Sequence, residues 1–169
     1  MESSKKTGLN IGCNEWRIES TPEMDWTNID IDQNDKIKPD LVCDATKLPF
    51  EDNSFDEIYA GHILEHFGRN ENVLEEWVRV LKPGGKITVC VPDIEKSLFC
   101  VRNGLMLMSF FDNVVFGAED RDAQNHHQAF TVDILYAQLA KYLKDVQEVT
   151  DCPHWVANVV WQSTFSGIK

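Results

Sequence analysis

The feature that most constrains this chain is how its first strand-like segments end. Leu9-Asn10-Ile11 is a short apolar run that stops at Gly12. Residues 26–31 alternate in polarity, carry Asp30 near their end, and give way to the polar cluster Asp32-Gln33-Asn34-Asp35. Residues 40–43 close on Asp44, and residues 55–60 follow the turn-like Glu51-Asp52-Asn53-Ser54 and lead towards a helix. In an open α/β sheet, ligands bind beyond the carboxyl ends of the strands, where strand order reverses. Gly12, Asp30 and Asp44 are therefore predicted to meet at one rim. A glycine lets backbone approach a ligand where a Cβ would obstruct it. Asp30 is placed to accept hydrogen bonds from both hydroxyls of a ribose, and Asp44 from an exocyclic adenine amine. None of these contacts needs a phosphate.

After residue 70 the apolar period changes. Val73, Leu74, Trp77, Val78 and Leu81 fall on one helical face, with Glu71, Glu75, Glu76, Arg79 and Lys82 outward. Glu75 and Arg79 stand in the supportive i, i+4 order. Pro83-Gly84-Gly85 should end this helix and turn into a strand over residues 86–91. Residues 93–108 read as a helix broken near Asn103-Gly104, and residues 112–128 as an irregular excursion. Thr131 is a predicted N-cap for a helix burying Val132, Leu135, Leu139, Tyr142 and Leu143. Closing strands are expected at residues 146–150 and 155–165. The alternation predicts an α/β open sheet, mostly parallel with an antiparallel C-terminal edge. Residues 13–25 hold Pro22 and charges but no helical face, so the first helix is expected to be reduced or absent. A chain of 169 residues suits one domain over 1–169.

Composition narrows the partners. With 28 acidic against 16 basic side chains, net charge is −12. That field repels polyphosphates and offers no basic stripe, so nucleic acid is disfavoured and a small molecule or a protein is the expected partner. The five cysteines, Cys13, Cys43, Cys90, Cys100 and Cys152, are odd in number and form no Cys-x-x-Cys pair. They read as free thiols in a reducing, cytoplasmic setting. The polar N-terminus carries no leader pattern, and the apolar run 104–111 is too short to cross a bilayer. No metal site is expected: Cys152-Pro153-His154 offers two ligands without the other two. An exposed sheet edge leaves a homo-oligomer open.

Five segments in order carry a resemblance. Leu9-Asn10-Ile11-Gly12-Cys13-Asn14 resembles the first glycine motif of class I S-adenosylmethionine-dependent methyltransferases of the type 11 kind. Asn28-Ile29-Asp30-Ile31-Asp32 resembles their ribose-binding second strand, and Asp40 to Phe50 their adenine segment. Ser54 to His66 and Leu81-Lys82-Pro83-Gly84-Gly85-Lys86 complete the set. Together they cover about half the chain, residues 9–92. The resemblance implies a Rossmann-like, seven-stranded sheet, S-adenosylmethionine as cofactor, and a bacterial subset acting on small molecules. It implies Gly12, Cys13 and Asn14 beside the methionine part and Asp30 with Ile31 at the ribose. Asp44, Ala45 and Leu48, with Phe50, would form the adenine pocket. Asn14 stands where the family has a second glycine, and asparagine tolerates the left-handed conformation that such a turn needs. Asn10 replaces the usual acid and weakens one contact to the cofactor's amino group. Trp16 is expected to cover a cofactor that the missing helix leaves exposed.

The implied reaction is an in-line displacement in which an acceptor oxygen, nitrogen or carbon attacks the sulfonium methyl. The acceptor is expected to be a sugar or another hydroxylated metabolite. His62, His126 and His127 are the candidate catalytic residues, since imidazole titrates near neutrality. His62 and His66 serve equally well in packing, Asp93 is a further candidate base that reads better as a helix N-cap, and Glu65 reads as a residue ordering a neighbouring loop. Phe110, Phe111 and Phe116 read as core or lid packing. Two rivals stand beside this reading. One is a cofactor-binding module without turnover, and the other an NAD(P)-dependent oxidoreductase, which the absence of Gly-x-Gly-x-x-Gly disfavours.

Overall fold

The structure, a computed structural model, describes residues 5–69, 71–117, 125–150 and 161–169. Seven strands form one sheet: β1 (Lys6–Ile11), β2 (Met24–Asp30), β3 (Leu41–Val42), β4 (Phe55–Gly61), β5 (Leu81–Pro92), β6 (Lys144–Glu148) and β7 (Gln162–Ile168). Their order is β3-β2-β1-β4-β5-β7-β6. The first five are parallel, and β7 pairs antiparallel to both β5 and β6. This is the Rossmann-like α/β sheet with an antiparallel edge that the strand pattern predicts. The chain winds outward through β1, β2 and β3, then returns to β4 on the other side of β1. The switch point lies between β1 and β4.

The helices are α1 (Val73–Val80), α2 (Ile94–Arg102), α3 (Met108–Phe116) and α4 (Val132–Leu139), with a 3-10 turn at Leu64–His66. The predicted face of α1 is buried through Val73, Leu74, Trp77 and Val80. Trp77 is fully enclosed, and its indole N–H donates to the Ala45 carbonyl, tying the helix to the loop after β3. Leu9, Ile11, Ile58, Ala60, Val89 and Val91 of the central strands complete the main core with Leu135 and Leu139 of α4. Thr131 caps α4, its hydroxyl accepting from the Ile134 N–H, while Tyr142 stays exposed. Among the described residues no helix is long and apolar enough to cross a membrane.

Several expectations need correction. Arg79 does not pair with Glu75. Its guanidinium grips Glu76 at 2.8 Å and Asp52 at 2.7 Å, and also donates to the Leu48 and Phe50 carbonyls. Residues 112–116 are not irregular but the second half of α3. The expected break holds, with Gly104 at φ +68°. The final strand runs on to Ile168, and the expected strand's residues 155–160 lie outside the described residues.

No helix follows β1: residues 13–23 cross as an irregular loop. A polar network holds this loop where helix packing would otherwise do so. The Asn28 side chain accepts from Asn10 Nδ2 (2.9 Å) and the Ile18 N–H (2.7 Å), and donates to the Ile18 carbonyl and to Asp40 Oδ2. Asn10 also donates to the Trp16 carbonyl, and Arg17 pairs with Asp40 at 2.6 Å. Asn10 and Asn28 are both buried, so each lost bond strands a partner away from water. Asn28→Ala is expected to lower stability by about 2–3 kcal/mol, read as the shift in a urea unfolding midpoint; an unchanged midpoint would show that the network is incidental.

Candidate functional site

A hollow of about 640 Å³ opens beyond the carboxyl ends of β1, β2, β3 and β4, at the switch point. Its volume suits a ligand of nucleoside size. Gly12, Asn14, Asp30, Ile31, Asp44, Ala45, His62, His126 and His127 all line it, as does Trp16. The structure therefore brings together nine of the eleven residues singled out from sequence. Cys13 and Leu48 are the exceptions. Both are buried and do not line the hollow. The Cys13 thiol is pushed up to about 11 by burial and by the Asp30 carboxylate. Leu48 packs in the core, its N–H donating to Glu76. Phe50 packs edge-on against Phe55 rather than walling the hollow.

Each rim residue has a local cause for its position. Gly12 adopts φ +66°, and a Cβ there would lie 2.5 Å from Ile63 Cδ1. The glycine is thus required by the turn and by Ile63 packing over it. Asn14 takes the left-handed conformation at φ +45°, as its chemistry permits. Its N–H donates to Asp30 Oδ2 (2.8 Å), while the Asp32 N–H donates to Oδ1 (2.9 Å). Both carboxylate oxygens are anchored by backbone, and each keeps a lone pair for a ligand. Asp44 Oδ1 accepts from the Thr46 N–H and hydroxyl, which fixes the carboxylate at the hollow's lining.

At the other side stand the histidines. His62 is held at φ +54°, a conformation costly for a non-glycine residue. Its Nε2–H donates to Gln162 Oε1 (2.9 Å), and its Nδ1 lies 3.5 Å from Glu65 Oε1. The ring leans on Trp161, with centroids 5.4 Å apart. The Glu65 carbonyl accepts from the His127 and Gln128 N–H groups, so Glu65 does order the neighbouring segment. Its carboxylate is buried; burial alone would raise it, but the facing imidazoles of His62, His66 and His126 hold it below the usual range. His126 is pushed down chiefly by burial.

Asp93 is no base. Its Oδ1 caps α2 through the Glu95 and Lys96 N–H groups, and Oδ2 accepts from Ser163. Phe111 packs on the small buried cluster of Cys100, Met106 and Val114, Phe110 lines the hollow against Trp161, and Phe116 is exposed. Sequence reasoning missed Val114 and Trp161 in the wall; neither sits in a recognisable motif.

Residues 9–89 match the family described as a methyltransferase domain. A sterol 4-C-methyltransferase of Caenorhabditis elegans is 38% identical over 86 residues, which is 51% of this chain and 24% of that protein. A ubiquinone/menaquinone biosynthesis C-methyltransferase of Desulfotalea psychrophila is 50% identical over 50 residues, 30% of this chain and 20% of that protein. The chain thus spans a quarter or less of the length of these curated relatives. Among solved structures, an S-adenosylmethionine-dependent methyltransferase of Methanosarcina mazei shares the fold with a TM-score of 0.66 at 19% identity, over 99% of this chain and 93% of that one. The CurJ carbon methyltransferase does so with a TM-score of 0.69 at 14% identity, over 99% and 49%. The fold also matches the [4+2]-cyclase SpnF, with a TM-score of 0.59 at 16% identity over 98% of this chain and 75% of that one.

The turn at Gly12 yields a direct test. Gly12→Ala forces a Cβ into Ile63 at positive φ and is expected to cost about 1–3 kcal/mol, measured by thermal unfolding. The double variant Gly12→Ala/Ile63→Ala should recover part of that loss; no recovery would place the strain wholly in the backbone.

Proposed function

We propose, from the match of residues 9–89 to the methyltransferase-domain family, that the chain binds S-adenosylmethionine in the hollow and transfers the methyl group to a small-molecule acceptor by in-line displacement. The carrying observation is the Asp30 carboxylate, which lines the hollow and is anchored by one backbone N–H on each oxygen. That is a bidentate acceptor for two ribose hydroxyls. Asp30, Asp32 and Asp44 give this rim a negative field, which suits a cationic sulfonium and opposes a pyrophosphate. With no helix after β1, no N-terminal dipole stands ready for a phosphate either.

The residues fall into roles along the rim. Gly12 and Asn14 line the methionine end, Asp30 and Ile31 hold the ribose, and Asp44 with the Ala45 N–H takes adenine. Cys13 and Leu48 support that surface from beneath. Bound there, S-adenosylmethionine supplies an electrophilic methyl group. The protein contributes alignment and exclusion of water, worth several kcal/mol in such reactions. His62, fixed between Gln162 and Glu65, faces the acceptor's place, with His126 and His127 behind it. Phe110, Val114 and Trp161 wall the same side, favouring an acceptor with an apolar face. The names of the relatives, carbon methyltransferases of sterols and quinones, support that preference.

A binding module without turnover is the second reading. It is favoured by the missing helix after β1 and by Asn10, whose amide is committed to Trp16 and Asn28. Calorimetry with S-adenosylmethionine, S-adenosylhomocysteine and NAD separates the classes. The first two should bind, and Asp30→Ala should weaken both at least about tenfold. Tight NAD binding, or binding indifferent to Asp30→Ala, ends the proposal. Release of S-adenosylhomocysteine across an acceptor panel then marks the enzyme, and binding without release marks the module.

A further inference from the structure

Glu65 stands in the 3-10 turn after β4, with its side chain 1% exposed. Neither carboxylate oxygen makes a well-formed hydrogen bond among the described residues, the nearest imidazole nitrogen being His62 Nδ1 at 3.5 Å from Oε1. A buried carboxylate in that state is costly unless a cation meets it. His126 Nε2 lies 3.9 Å from Oε1, and donor atoms of Glu65, His66 and His126 all lie within 4.8 Å of one another. The two imidazoles are already oriented. His66 Nδ1–H donates to the Asn125 carbonyl (3.2 Å), and His126 hydrogen-bonds the Val114 backbone. Such outer bonds fix the tautomer of metal-ligating histidines and leave the other nitrogen's lone pair to the metal.

We propose that Glu65, His66 and His126 form a binding site for a divalent transition-metal ion of the zinc type. Two imidazoles and one carboxylate are a three-ligand set that leaves an open position, and all three residues border the hollow. Ligands at 2.0–2.1 Å from a tetrahedral ion stand about 3.3 Å apart. The set must therefore draw in by at most about 1.5 Å, which side-chain rotation supplies. The inference does not rest on the proposed methyl transfer, because metal binding is read without cofactor or substrate.

Metal-stripped protein titrated with Co²⁺, followed by visible absorption and then by displacement with Zn²⁺ in calorimetry, tests it. One equivalent should bind, with nitrogen- and oxygen-ligand bands and no thiolate charge-transfer band. Affinity should fall at least about tenfold in Glu65→Gln and in His126→Ala. His66→Ala, at a less buried position, serves where the Glu65 variant fails to fold, with circular dichroism confirming its structure. Absence of stoichiometric binding, a thiolate band, or undiminished binding in both histidine variants would overturn the site and leave Glu65 as a counter-charge to His62.

Discussion

Everything at the ligand-facing rim rests on a buried amide that does the work of a helix. In this fold the segment after β1 would ordinarily pack a helix on the sheet and so fix the strand ends beneath it. Here Asn28, enclosed within β2, joins Asn10 of β1, Ile18 of the connecting loop and Asp40 at the threshold of β3. Two parallel strands, their connecting loop and the residue that precedes β3 are thereby bound through one side chain. Because unpartnered buried amides are penalised heavily, the arrangement is all-or-none. With it in place, Gly12, Asp30 and Asp44 arrive at the rim in fixed relation.

Punctuation made much of this legible beforehand. Glycine and aspartate end strands for steric and hydrogen-bonding reasons that survive any tertiary context, so Gly12, Asp30 and Asp44 were readable as a set. The apolar period of α1 was readable for the same reason, since one face meets the core and the other meets water. The course of α3 was not. Its apolar residues lie on both sides, and Met108 and Phe116 remain exposed, so no period marks it. Side-chain direction was also hidden: Cys13 and Leu48 belong to the right segments but point into the core.

The histidine side of the hollow depends on contacts that span some sixty residues. His66 meets Asn125, and Glu65 accepts from His127 and Gln128, so the segment after α3 is laid against the turn after β4. From sequence His62, Glu65 and His66 read as separate residues with catalytic, packing or loop-ordering roles. Nothing local announced that His126 would join them, or that the carboxylate would lose its water. One wall of the hollow is thus a carboxylate rim suited to a cation, and the opposite wall is an imidazole cluster around a desolvated acid.

The left-handed backbone of His62 restricts which experiments on it can be interpreted. At φ +54° a β-branched or bulky replacement changes the chain's path before it changes any chemistry. Among common residues, asparagine, aspartate and glycine accept that geometry most readily. An alanine scan would therefore mix main-chain relaxation with the loss of an imidazole, whereas asparagine in that position removes the ring and keeps the bend. The main-chain bend at His62 thus leaves asparagine, aspartate and glycine as the replacements that keep the chain's path.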